Sequence, residues 1–348
     1  MNFFHILSEI EKTDPEVFER FDSRRRVFKH LTGFGKKMTA AALPLAMGAI
    51  FNKAYGQATG APSVNDVLNF ALKLEYLEAY FYNLGLQGNG SIVTDNGSGA
   101  TAVTPAQTTF RGMFSATNLS SLTKIRTDEN NHVNFLRSAL GAAAIAAPAV
   151  SEFDFTGGKG SGAGPFAGLF TNPVLFLAVA QSLEDTGVRA YKGGAPYLAS
   201  NKDVLTAALN IHSVEARHAA RLRTMRRGGF NNNAASQTAS GTLEGPTGKP
   251  KSWISGDDNG GASPAQTAPI YGAGVAPSYT PAGITFPSEA NVNQGANGTA
   301  PALNLQTALA SLNFPAAAFS EAFDEPLDVP TVSAIAKTFT ITSSTLFG

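Results

Sequence analysis

The chain has 348 residues, a formal net charge of zero and only 15% charged residues. That balance excludes the basic surplus of a nucleic-acid-binding protein. Cysteine is absent, which excludes disulfides, thiolate metal sites and iron–sulfur clusters, so a metal would be held by Glu, Asp and His alone.

The N-terminal stretch "DSRRRVFKHLTGFGKKMTAAALPLAMGAIFNKAYGQA" sets Arg24, Arg25 and Arg26 ahead of Phe28, followed by a modest apolar run, 38–51, and then small residues. A basic, then apolar, then small-residue order reads as an export signal over 1–58, of the twin-arginine type, with a periplasmic or secreted destination. The alternative is a basic anchoring helix. The apolar run is too short and Ala-rich for a permanent span, so no membrane span is expected after signal removal.

From Val64 to Leu86 the apolar positions follow a helical period, with Ser63 placed as N-cap. The Gly/Ser/Thr-rich stretch 87–104 reads as loop, and Pro105 opens a shorter segment. Helical patterns then cover roughly 119–146, 173–191 and 203–227. A long connection separates the second pattern from the third, and a short Gly/Pro loop joins the third to the fourth. A long crossover lets the third helix start at the end where the second started, which is the ferritin-like variant of the four-helix bundle. The expected organisation is an all-α bundle over 62–228, an irregular Gly/Asn/Thr-rich extension over 229–302, and a C-terminal segment, 303–348, packing on the bundle.

The stretch "ENNHVNFLR" carries Glu129 three residues before His132, and "EARHAARLR" carries Glu215 three before His218. This spacing puts both side chains on one helix face, a turn apart. The two stretches share E-x-x-H-x-x-x-L-R, which aligns Leu136 and Arg137 with Leu222 and Arg223. The preceding helices repeat as well: Glu75 stands seven residues before Tyr82, and Glu184 seven before Tyr191. A pattern of Glu…Tyr followed by Glu-x-x-His, written twice, predicts two helical hairpins about a pseudo-twofold axis with their acids at the bundle centre. Four glutamates and two histidines suit two divalent ions about 3.5–4 Å apart, neutralised by four carboxylates. Imidazole with carboxylate suits iron or manganese.

The stretches "LNFALKLEYLEAYFY", "IRTDENNHVNFLRSALG" and "FSEAFDEPL" resemble the ferritin-like superfamily, and within it bacterial ferritin-like proteins related to desiccation-associated proteins. The resemblance implies Glu75 as the acid of the first helix, Glu129 and His132 as the pair of the second, Glu184 as the acid of the third, and Glu215 and His218 as the pair of the fourth. Around this set, Glu78 reads as an alternative ligand or as a nearby surface or supporting acid. Tyr82 and Tyr191 read as hydrogen-bond donors to the ligands, as redox-active phenols, or as core aromatics. Arg126, Asp128, Arg137 and Arg223 are expected to orient the Glu and His residues, with Asp128 facing away from the ions. His212, one turn before Glu215, reads as a residue supporting the site or, in preference, as an exposed helix histidine, and Asp324, Glu325 and Asp328 are expected in caps or turns. The expected activity is Fe(II) oxidation or peroxide consumption, with metal ions, oxygen or peroxide and a second copy of the chain as partners. The alternative is a non-catalytic desiccation-protective protein with an inert or stabilising metal site.

Overall fold

The computed structural model describes residues 61–92, 103–232, 250, 254, 264–275, 284–294 and 303–348. The export-signal reading of 1–58 lies outside the described residues. Four long helices carry the fold: α1 (Val64–Gln87), α3 (Ala116–Leu140), α4 (Pro173–Gly194) and α5 (Lys202–Gly228), with the short α2 (Pro105–Arg111) between the first two. Local sequence starts each of them. Ser63 and Asp66 form a capping box at α1, and Ser115, Asn172 and Asn201 accept from the first turns of α3, α4 and α5.

Side-chain pairs fix the directions. Asn83 meets Asn130 while Asn69 meets Ala143, so α1 and α3 run antiparallel. Asp185 meets Arg223 while Val188 meets His212, so α4 and α5 do the same. Tyr82 reaches Glu184 while Tyr191 reaches Glu75, which sets α1 antiparallel to α4. Helices α3 and α4 therefore point the same way, and residues 141–172 carry the chain back along the length of the bundle. This is the expected ferritin-like connectivity.

Helix α3 stops at Leu140, short of the expected 146. The Ala-rich run beyond it has helical propensity, but Gly141 adopts φ +54 and breaks the turn. The crossover then uses its aromatic residues as packing. Phe153 and Phe155 lie against Tyr80 and Phe81, and Phe81 stacks on Phe176 with ring centroids 4.7 Å apart. Apolar burial of this kind dominates the stability of the bundle.

The extension, expected to be irregular, holds a two-turn helix, α6 (Pro264–Tyr271), selected because Ile270 and Tyr271 bury against the bundle. Beyond it, β1 (Asn293–Gln294) pairs antiparallel with β2 (Leu303–Asn304), followed by α7 (Leu305–Ala308), α8 (Ala316–Ser320) and α9 (Val329–Ala336). Asp328 caps α9 and also accepts from Val275, whereas Glu325, expected in a cap or turn, accepts from Asn291 and Gln294 and ties distant segments together. Near the C-terminus, Thr340 forms a bridge with Phe153, joining this segment to the crossover. No helix among the described residues is long and apolar enough to cross a membrane.

One side chain clasps the later segments to the bundle. Arg189 of α4 is fully buried; its Nε pairs with Glu289 at 2.8 Å, and its guanidinium donates to the carbonyls of Gly272, Pro287, Glu325 and Pro326. Removing one partner of a buried ion pair leaves the other charge uncompensated, at about 3–5 kcal/mol. Arg189→Met is expected to lower unfolding stability by about that amount and to open residues 270–275, 284–294 and 303–327 to limited proteolysis before the four-helix core is cut. Proteolysis that attacks core and later segments together would show that the clasp is not separable from the bundle.

Candidate metal centre

The six residues singled out by the duplicated pattern converge on the bundle axis. Glu75, Glu129, Glu184 and Glu215 are fully buried, and His132 and His218 are 9% and 5% exposed. Two groups of donor atoms form, Glu75–Glu129–His132–Glu215 and Glu129–Glu184–Glu215–His218, each with its atoms within 4.8 Å of one another. Glu129 and Glu215 belong to both. Each group thus has one private glutamate, one private histidine and two shared acids.

Histidine Nδ1 faces the acids in both groups. His132 Nδ1 lies 3.2 Å from Glu75, 3.1 Å from Glu129 and 3.2 Å from Glu215. His218 Nδ1 lies 2.8 Å from Glu129 and 3.1 Å from Glu184. One N–H serves one acceptor well, so it cannot satisfy several converging carboxylate oxygens. Glu129 Oε1 and Glu215 Oε1 stand this close without hydrogen-bond alignment, and Glu215 Oε2 is buried with no hydrogen-bond partner among the described residues. Donors about 3 Å apart suit neighbouring ligands of one ion about 2.1 Å from each. The residues present therefore fit a pair of cations, with Glu129 and Glu215 between them.

Protons stand in for those cations in the electrostatics of the protein alone. Burial pushes Glu75 up to about 7 against the opposing pull of His132. Burial and then Glu129 and Glu184 push Glu215 well above the carboxylate range. Burial also acts on Glu129, but His132 and His218 outweigh it and hold its pKa low. Burial alone would lower both histidines; Glu75 and Glu129 beside His132, and Glu184 and Glu129 beside His218, raise them instead.

The surrounding residues follow the duplication across the hairpins. Tyr82 donates to Glu184 at 2.5 Å, and Tyr191 donates to Glu75, so each tyrosine holds the private acid of the opposite hairpin. Burial first, then the carboxylate beside each phenol, keep both well above the usual tyrosine range and therefore protonated. Of the expected orienting residues, Asp128 does not face the acids but accepts from His218 Nε2 at 3.2 Å and pairs with Lys124. Arg223 grips Asp185 through two 2.5 Å contacts, and Arg137 donates to Tyr76 at 2.8 Å. Asp185 and Tyr76 each follow a private glutamate, so these are equivalent contacts with different chemistry. Arg126 donates to Asn83.

Two expectations need correction. Glu78 is no surface acid: it is 3% exposed and lies among the site carboxylates, because its turn of α1 faces Gly187 of α4. His212 is half-buried, with its Nδ1–H donating to the Val188 carbonyl at 2.9 Å, because the face of α5 that carries it packs on α4. Sequence reading missed Asp185 and Tyr76, although the aligned Arg137 and Arg223 pointed to a repeated partner. It also missed Tyr271, which donates to Asp185 at 2.8 Å from the far extension; no local pattern marks that contact.

A family model described as "Ferritin-like domain" matches residues 63–227, the four-helix segment that holds the cluster. Comparisons with curated proteins and with solved structures return no match.

Two outcomes are expected. A group with raised pKa in the fold binds more protons there than in the unfolded chain, so stability falls as pH rises across its window. For Glu75 that window runs from 4.5 to about 7, and Glu78 and Glu215 shift in the same direction. The Tm of metal-free protein should therefore fall across this range, and added Fe(II) or Mn(II) should reverse the fall; a Tm rising with pH would contradict the cluster's electrostatics. Asp128→Asn should weaken one of two bound ions by about 10–100-fold and spare the other, as outer hydrogen bonds to a ligating histidine do; calorimetric titration distinguishes this from a uniform loss.

Proposed function

We propose that the cluster holds two iron or manganese ions, and that the protein oxidises Fe(II) or consumes peroxide in protection against oxidative or drying stress after export by the twin-arginine route. The observation that carries this reading is the sharing of Glu129 and Glu215 between two Glu/His groups. Glu75 and His132 would complete the first ion's protein ligands, and Glu184 and His218 the second's. Their imidazole–carboxylate mixture suits iron and manganese, and four donor residues per ion leave room for a small oxidant. Such a pair, when bound, supplies the two electrons that, with two protons, convert one hydrogen peroxide to two waters.

The chain's own residues prepare the site for that chemistry. Tyr82 and Tyr191 fix the private carboxylates by hydrogen bonds and keep their protons within reach of the centre. Asp128 accepts the Nε2 proton of His218 and thereby leaves Nδ1 free to bind an ion. Phe81 and Phe176, both without solvent exposure, pack their rings against Tyr82 and hold that phenol in place.

Protein purified without chelators should carry about two ions per chain, lost in a Glu129→Ala/His218→Ala variant, by elemental mass spectrometry. Mixing the reduced, loaded protein with peroxide or oxygen should change its visible spectrum within a single turnover. Retained ions with no redox response would assign the centre a purely stabilising role in a protective protein, and folded protein that takes up no ions would remove the metal reading.

A further inference from the structure

The duplication is broken at one place inside the centre. Glu78 stands one turn beyond Glu75 on α1, and the matching position one turn beyond Glu184 on α4 is Gly187. A Cβ at Gly187 would sit 3.2 Å from Glu78 Oε1 and 3.2 Å from Glu215 Oε2. The missing side chain thus makes a notch in which the Glu78 carboxyl and a shared ligand acid meet. Glu78 has no hydrogen bond or ion pair among the described residues, and after burial the largest influences on it are the carboxylates of Glu215, Glu129, Glu184 and Glu75.

A carboxyl group buried without partners is a poor core filler. Even neutral, at 3% exposure it gives up most of its contact with water and gains no hydrogen bond among the described residues in return. A cation at the centre removes that penalty. Charge counting gives the extra acid a use: the four carboxylates of the two groups balance two divalent ions, while two trivalent ions leave two positive charges, of which an ionised Glu78 cancels one.

We propose that Glu78 is a seventh donor group of the dinuclear centre, binding the ion pair most strongly in its oxidised state from the side that Gly187 leaves clear. This rests on the dinuclear reading given above. It makes the two halves of the centre unlike, although their other ligands repeat, and it places an exchangeable carboxylate where a small anion would otherwise bind.

The test uses wild type, Glu78→Gln and Glu78→Ala, each loaded with iron, oxidised and titrated with azide, an anion that needs a free coordination position. In Glu78→Ala the azide-to-iron charge-transfer band should develop at a concentration lower by about tenfold or more, a factor equivalent to about 1.4 kcal/mol. In Glu78→Gln, which keeps the shape of the side chain, the reduction potential should rise, because the oxidised pair loses a negative partner. Unchanged azide affinity and potential in variants that retain two ions would overturn the assignment and leave Glu78 as buried filler. Should the wild type itself hold no ion pair, the dinuclear reading fails first and this assignment with it.

Discussion

Gathering five glutamates and two histidines inside four helices sets the terms for the rest of the structure. Carboxylates brought together in a dry interior repel one another, and each also loses its hydration. The protein alone answers with protons, which is why burial drives Glu75, Glu78 and Glu215 upward while the histidines collect charge from their neighbours. Two cations answer the same repulsion better, since each can satisfy several converging oxygens where one imidazole N–H cannot.

The packing around the centre is interlocked. Each hairpin offers a phenol to the other hairpin's private glutamate, through Tyr82 to Glu184 and Tyr191 to Glu75, so neither half completes its part of the centre alone. The crossover lays Phe153 and Phe155 over the outer side of α1, and the C-terminal segment bridges to that crossover through Thr340. Arg189 fastens the later segments to α4. Rigid support of this kind keeps ligands near one geometry and limits the reorganisation needed when an ion's charge changes.

The duplicated frame also shows how two halves of one site diverge. Arg137 meets Tyr76 while Arg223 meets Asp185, so one half has a neutral contact and the other a buried ion pair. Asp128 supports His218, whereas the matching position before Glu215 is Val214, which has nothing to offer His132. Glu78 faces Gly187 in the same fashion. The Glu and His donors repeat between the two groups, while the residues that support them differ.

Much of this was legible in the chain. Periodicity located the four long helices to within a few residues, Ser63 marked a start, and two Glu-x-x-His pairs with two Glu…Tyr spacings named the six converging side chains, because helical geometry ties spacing directly to a shared face. What spacing cannot express is which partner a face will meet. The crossing of Tyr82 and Tyr191 to opposite hairpins, the burial of Glu78 in the notch at Gly187, the half-buried setting of His212 and the reach of Tyr271 from the extension to Asp185 all arise between segments distant in sequence. Local sequence determined the helices and the donors each one carries; only the packing of the helices decided which donors gather in each group and which acid stands beside them as an extra.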